Sequence, residues 1–234
     1  MTRCLLLLFL LTACKEKPRT NSAEQPPQSP EVEADTIKAA DTPKPFPSLK
    51  ELSDTTFVRL ANYSPDFSYE MRYATTNNFL KTKVYDCPEC YTRKKTAVAL
   101  IAANKEFNKR GYRIRFFDCY RPNSVQYKMW EIYPNPQYVA NPDKGSIHNR
   151  GGAVDITLET LDGKVLDMGT DFDYFGREAH HDYLEMSEEV LRNRTLLKEV
   201  MEENGFWSVR TEWWHYNLGK ASRDPVANFS WECP

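Results

Sequence analysis

Between Lys15 and Pro47 the chain carries seven prolines and neither tryptophan nor tyrosine. Such a stretch cannot bury enough apolar surface to offset the entropy of ordering it, and its prolines favour an extended spacer. Any packed core must come from the residues that follow, where all five tryptophans and all thirteen tyrosines lie. The expected organisation is therefore a leader at 1–14, a Pro-rich tether at 15–50 and one folded domain at 51–234. Thirty-one Lys and Arg against thirty-three Asp and Glu leave a net charge of −2, which implies no nucleic acid or other polyanion as partner.

The leader reads MTRCLLLLFLLTAC: a basic start at Arg3, an apolar run, then Leu11-Thr12-Ala13-Cys14. Leu5 to Leu11 is seven residues, far short of the roughly 20 that span a bilayer, so the segment reads as an export signal. Its end resembles the lipobox of bacterial lipoproteins, in which the cysteine is lipidated, so Cys14 is the expected anchor and the expected location is the periplasm or outer membrane. An ordinary cleaved signal is the alternative. Acyl chains contribute about 0.8 kcal/mol per buried methylene, enough for two or more to hold a protein at a membrane.

With Cys4 removed and Cys14 lipidated, Cys87, Cys90, Cys119 and Cys233 remain. An even number in an exported chain suggests disulfides, and four cysteines allow three connectivities. Cys87-Pro88-Glu89-Cys90 has two other readings, half a zinc knuckle or a redox pair, but no second CxxC and no thioredoxin-like βαβ pattern accompany it.

No repeat of 20 to 50 residues is present. Strands are expected at Thr56–Asn62, Phe67–Tyr73, Tyr112–Tyr120, Ala153–Glu159 and Phe206–Leu218, with Asp162-Gly163 turning the fourth into a short strand at Val165–Asp167. Helices are expected at Arg93–Lys109, Val125–Tyr133 and Leu191–Asn204, the first and last stopped by Gly111 and Gly205. The order lacks a regular βαβ rhythm, which indicates an α+β domain with a mainly antiparallel central sheet and flanking helices.

Only four histidines occur, at 148, 180, 181 and 215. His148 lies in the Gly-rich Ser146-Ile147-His148-Asn149-Arg150-Gly151-Gly152, and Asp155 follows seven residues after it. His215 ends Glu212-Trp213-Trp214-His215. Two imidazoles and one carboxylate form a common ligand set for a catalytic zinc with an open fourth position, and a further glutamate beside that position can act as general base.

These two motifs, with Phe117-Asp118-Cys119-Tyr120-Arg121-Pro122 and Asp167-Met168-Gly169-Thr170-Asp171-Phe172-Asp173, resemble the zinc D-alanyl-D-alanine dipeptidases, the group that includes the vancomycin-resistance dipeptidase. The likeness runs from about Phe57 to Leu218. It implies the hedgehog/D-Ala-D-Ala peptidase-like fold, one zinc ion per chain, and a small dipeptide as substrate, hydrolysed to free amino acids. It also implies a metal site of His148, Asp155 and His215, Glu212 as catalytic base and Arg121 as the group meeting the oxyanion. Asp173 would hold the substrate ammonium with Tyr73 beside it, Ser146 would lie near the substrate, and Trp213 and Trp214 would form an apolar wall. His180 and His181 fall outside the implied ligand set. Cys119 stands where the family pattern has glycine, which suggests a disulfide bracing Arg121, and no obligatory protein partner is expected.

Zinc acidifies water and Glu212 would take the proton, while Asp173 would favour a free amino terminus over an uncharged amide. A zinc D,D-carboxypeptidase or peptidoglycan endopeptidase is the alternative on this scaffold, and a non-catalytic cell-wall-binding lipoprotein is a further one. One geometric condition follows. Residues three apart on a regular strand face opposite sides, so Glu212 and His215 can share a site only if a bulge, bend or strand start separates them.

Overall fold

The computed structural model describes residues 46–233; the leader, Cys14 and the tether up to residue 45 lie outside the described residues. A turn at Leu49–Glu51 opens the domain, and Leu49 and Leu52 already pack on its core. Seven strands follow in chain order: β1 Phe57–Arg59, β2 Ser68–Tyr69, β3 Tyr91–Arg93, β4 Tyr112–Asp118, β5 Ala153–Thr160, β6 Phe206–Ser208 and β7 His215–Leu218. Helix α1 is Lys94–Lys109, α2 is Asn123–Ile132 and α3 is Glu188–Glu203. Five strands form the central sheet in the order β2-β4-β5-β7-β6, and β1 pairs with β3 apart from it. Every pairing is antiparallel except β2 with β4, so the α+β reading with a mainly antiparallel sheet holds.

Helix α1 turns Ala97, Leu100, Ala103 and Phe107 inward, a stripe at helical spacing, and lies against β4 and α3. Its buried Asn104 accepts from the Ile114 N–H at 2.8 Å and donates to the Asp66 carbonyl, which pairs its amide with backbone groups rather than leaving it orphaned. Helix α3 begins three residues before the expected start, because the Ser187 hydroxyl caps it by accepting from the Val190 N–H at 3.2 Å. It ends at Gly205, whose φ of 86° is the left-handed stop that a side chain resists.

On β5, Val154, Ile156 and Leu158 join Tyr216 and Leu218 of β7 in the hydrophobic core, while Asp155, Thr157 and Glu159 occupy the alternate positions. The opposite face therefore carries the chemistry. Asp155 pairs with His215 across β5 and β7 and with Asp118 across β5 and β4, where a bulge at Phe117 shifts the register.

Several strands are shorter than expected. Thr56–Asn62 reduces to β1 plus a turn at Leu60–Asn62, and Phe67–Tyr73 to β2 plus a turn at Arg72–Ala74. Val165–Asp167 is a single bridge to Glu159 rather than a strand. Phe206–Leu218 is not one strand but the hairpin of β6 and β7, with residues 209–214 as its connection. His215 thus starts a strand, which meets the condition that a bulge, bend or strand start separate it from Glu212.

The four cysteines form two disulfides, Cys90–Cys119 and Cys87–Cys233, so the knuckle and redox readings of Cys87 and Cys90 fall away. The second fixes the tail, whose Phe229 stacks on Tyr120 at 4.6 Å and whose Trp231 stacks on Tyr91 at 5.2 Å. Replacing Cys87 and Cys233 with serine should cost about 2–5 kcal/mol, because the link closes a long loop of the unfolded chain. Urea denaturation measures it, and a midpoint equal to that of the oxidised parent would show that the aromatic packing alone secures the tail.

Candidate metal and catalytic site

His148 opens a single 3-10 turn, His148–Arg150, that delivers the chain into β5. The Ser146 N–H donates to the Asn149 side-chain oxygen at 2.6 Å, and the Asn149 N–H returns to the Ser146 hydroxyl at 3.3 Å. Asn149 also donates to the Arg121 carbonyl, and Gly151 closes the turn at φ 68°, where a Cβ would run into the Phe57 ring. Ser146 lines the cavity described below, and its hydroxyl is engaged in holding this turn.

His148, Asp155 and His215 converge, with ligand atoms all within 4.8 Å of one another. His148 Nε2 lies 3.2 Å from His215 Nδ1, which is 2.9 Å from Asp155 Oδ1. The outward nitrogens each face an acceptor: His148 Nδ1 the Cys119 carbonyl at 2.7 Å, and His215 Nε2 the Asn217 side-chain oxygen at 3.0 Å. Those contacts place the protons outward and leave two lone pairs and one carboxylate oxygen facing a common point. Buried acceptors arranged in that way repel each other unless a cation lies between them, and two nitrogens with one oxygen suit zinc. In the metal-free protein a proton serves instead. Burial disfavours charge on His215, but its hydrogen bond to Asp155 outweighs that and raises it to about 9. Burial pushes the Asp155 carboxyl up, and the two imidazoles more than reverse this, holding it well below its ordinary value.

Glu212 stands at the edge of this group, its Oε2 3.9 Å from His215 Nδ1. The turn made by the Glu212 N–H to the Val209 carbonyl and the His215 N–H to the Glu212 carbonyl brings both side chains to one side. Burial raises the Glu212 carboxyl, against the pull of His215, which moves it toward the range useful to a general base at neutral pH.

Arg121 is buried and fixed at both ends of its guanidinium. Nη2 donates to Asp118 Oδ2 at 2.7 Å, Nη1 donates to Gln126 Oε1 at 2.8 Å, and the group lies over the Tyr73 ring. Burial opposes its charge, but Asp118 outweighs burial and keeps Arg121 cationic. Asp118 itself is satisfied by the Tyr85 hydroxyl and the Cys119 N–H. Asp173, at φ 60°, accepts from the Tyr73 hydroxyl at 3.1 Å and the Phe79 N–H at 3.5 Å. Burial, and then the field of Asp155, push its carboxyl well above the usual range, so its anion gains from an arriving cation.

A cavity of about 290 Å³ brings together His148, Asp155, His215, Glu212, Arg121, Asp173, Tyr73, Ser146 and Trp214. Trp213 does not join them, which corrects its expected place in the wall. Its indole donates to the Thr170 hydroxyl at 2.8 Å and its ring meets Arg194, because adjacent residues leading into a strand point to opposite sides. His180 and His181 lie outside the group: His180 Nδ1 faces Arg210 at 3.3 Å, and His181 packs near Tyr216 with burial lowering it to about 4. Sequence reasoning passed over Asn217, the Cys119 carbonyl, Asp118 and Gln126. Only Asn217 had a local signal, since His-x-Asn on a strand places both side chains on one face.

Asn217→Leu should weaken metal binding about 10–100-fold without unfolding the domain, as loss of an outer hydrogen bond to a ligating histidine does elsewhere. Competition with a chromophoric chelator reads this directly; an unchanged dissociation constant removes Asn217 from the site. The pH dependence also has a fixed sign. Below about 9 the metal must displace the His215 proton, so affinity should fall about tenfold per pH unit as pH drops from there, with roughly one proton released at neutral pH. Calorimetry in buffers of different ionisation enthalpy counts that proton.

A family model described as D-ala-D-ala dipeptidase matches residues 53–231. The D-alanyl-D-alanine dipeptidase of Escherichia coli is 34% identical over 183 residues, covering 78% of this chain and 95% of that protein. The D-alanyl-D-alanine dipeptidase of Enterococcus faecalis is 33% identical over 171 residues, covering 64% of this chain and 85% of its own. Among solved structures, the D,D-pentapeptidase VanY of a VanB-type vancomycin-resistance cassette, in complex with Zn(II), aligns over 55% of this chain and 73% of that chain at 17% identity and a TM-score of 0.38. By the extent of the family match and the breadth of the bacterial relatives, the chain belongs to the D-ala-D-ala dipeptidase family of peptidases.

Proposed function

We propose that the chain is a zinc dipeptidase that hydrolyses D-alanyl-D-alanine, or a closely related D-containing dipeptide, to free amino acids. The observation that carries this reading is one cavity holding the His148–Asp155–His215 group, Glu212 at its edge and the carboxyl of Asp173. His148, Asp155 and His215 would hold one zinc ion per chain, which when bound supplies Lewis-acid polarisation of the scissile carbonyl and acidification of water.

The chain's own residues do the rest. Glu212, raised by burial, takes a proton from the attacking water at a carboxylate oxygen and returns it to the leaving amine nitrogen. Arg121, locked by Asp118 and Gln126, offers a fixed positive charge toward the negative charge that develops on the carbonyl oxygen, without reorganising at the moment of reaction. Asp173, with Tyr73 beside it, pairs with the substrate ammonium. A longer or acylated peptide offers an uncharged amide there, leaving a buried carboxyl without its counter-charge, and that loss favours a dipeptidase over the carboxypeptidase and endopeptidase alternatives. Retention of both Glu212 and Arg121 in the cavity likewise favours catalysis over a pure wall-binding role.

From the leader and the Pro-rich tether we further infer that the enzyme is exported, lipidated at Cys14 and anchored in the periplasm or at the outer membrane. Two disulfides among the described residues support an oxidising compartment.

The purified zinc-loaded protein should cleave D-Ala-D-Ala, and neither L-Ala-L-Ala nor an N-acylated D-Ala-D-Ala at a comparable rate. Glu212→Gln should lower kcat by about 10²–10⁴-fold. Amine release measured for the three compounds decides the matter: equal cleavage of the acylated compound sinks the dipeptidase reading, and a fully active Glu212→Gln sinks the base assignment.

A further inference from the structure

A second cavity, of about 330 Å³, adjoins the catalytic one, and the two share Gln137, Tyr138, Phe175 and Glu212 in their linings. The second adds His180 and Thr211. At the shared wall the rings of Tyr138 and Phe175 stack, with centroids 4.1 Å apart and planes 29° from parallel. Phe79 meets Phe175 edge-on at 5.1 Å and Tyr133 edge-on at 5.7 Å, and Tyr133 lies 6.0 Å from Tyr138. Four rings from three separate stretches of chain therefore close a circuit.

That circuit stands beside the residue assigned to the ammonium. The Phe79 N–H reaches Asp173 Oδ2 at 3.5 Å, and Phe175 follows Asp173 by two residues in the same loop. A dipeptide whose amino group pairs with Asp173 ends at the rings. A substrate extended at its amino terminus must continue past Asp173, and the adjoining cavity offers room on the far side of the stacked pair. We propose that the Tyr138–Phe175 pair, backed by Phe79 and Tyr133, determines substrate length by walling off that second cavity. This rests on the dipeptidase reading and adds a steric component to it. Asp173 rejects an amide for want of charge, and the rings reject whatever the amide is attached to. Edge-to-face and stacked contacts between four rings resist displacement together, which suits a partition better than one mobile side chain would.

The test compares Tyr138→Ala and Phe175→Leu with the parent, all zinc-loaded, on D-Ala-D-Ala, N-acetyl-D-Ala-D-Ala and D-Ala-D-Ala-D-Ala. The parent should be confined to the dipeptide. Each variant should raise kcat/KM for the acetylated and three-residue compounds, relative to the dipeptide, by at least about tenfold, a size typical of steric changes in a pocket. Tyr138→Phe, which keeps the stack, should retain the parent's restriction. The partly accessible Tyr138 and the conservative Phe175→Leu are chosen so that the fold survives, and thermal melts verify it. Folded variants that still cleave D-Ala-D-Ala but stay as restrictive as the parent overturn the proposal. A parent that is inactive on D-Ala-D-Ala, or that already cleaves the acetylated compound as fast as the dipeptide, overturns the dipeptidase reading itself, a distinct outcome.

Discussion

The pairing of β5 with β7 decides whether this molecule has a site at all. Asp155 and His215 are opposite partners in that ladder, and their side chains meet at 2.9 Å because the register sets them side by side. Side-chain direction alternates along a strand, so a slip of one residue would send His215 into the core and bring Tyr216 to the metal face. The burial pattern prevents the slip. Tyr216 and Leu218 are part of the hydrophobic core, and moving them outward would expose two large side chains. The energy that fixes the register is thus hydrophobic, although the register's product is polar.

The ladder on the other edge of β5, with β4, sets two carboxylates next to each other, since Asp118 is the partner of Asp155 there. Two buried anions side by side would destabilise the sheet if either lacked compensation. Each has its own hydrogen-bond partners, and His148 lies between them, its Nδ1 3.7 Å from Asp118 Oδ2 and its Nε2 3.5 Å from Asp155 Oδ1. Asp118 takes Arg121, the Tyr85 hydroxyl and a backbone N–H; Asp155 takes the two imidazoles. The extra residue at Phe117 is what turns Asp118 into this row rather than leaving it out of phase. Arg121 is consequently held by a group that does not compete for the metal, and the position of its charge is set before any substrate arrives.

The elements with a strong local pattern could be read from sequence: α1 from its apolar stripe, β4 and β5 from β-branched and aromatic runs, α3 from spacing and Gly205. Those that failed lacked punctuation. Residues 209–214 form a hairpin connection but contain neither Gly nor Pro, and Trp213 and Trp214 are strand-forming types, so a reversal of the chain reads as one continuous strand. The His148–Asp155–His215 group was legible because each member belongs to a motif, and alternation required a bulge, bend or strand start between Glu212 and His215. The supporting acceptors were not. A backbone carbonyl such as that of Cys119 leaves no trace in residue type, and the ring circuit assembles Phe79, Tyr133, Tyr138 and Phe175 from positions nearly a hundred residues apart. Disulfide connectivity was likewise a property of topology, as Cys90 becomes a neighbour of Cys119 only once the chain has folded.

Cys119 connects the covalent frame to the chemistry. Its sulfur is tied to Cys90, its carbonyl accepts from His148 Nδ1, and its N–H donates to the carboxylate that holds Arg121. One residue therefore helps orient an imidazole of the candidate metal group and the buried Arg121 cation. A glycine at that position would supply the same two backbone groups but leave their direction to the surrounding hydrogen bonds. A cysteine cross-linked to the residue just before β3 adds a second, covalent constraint on the peptide planes. Orientation of a histidine matters to a metal at the level of tenths of an ångström, far less than the freedom of an unrestrained loop, so a link that costs nothing to maintain in an oxidising compartment is an economical way to hold both groups in place.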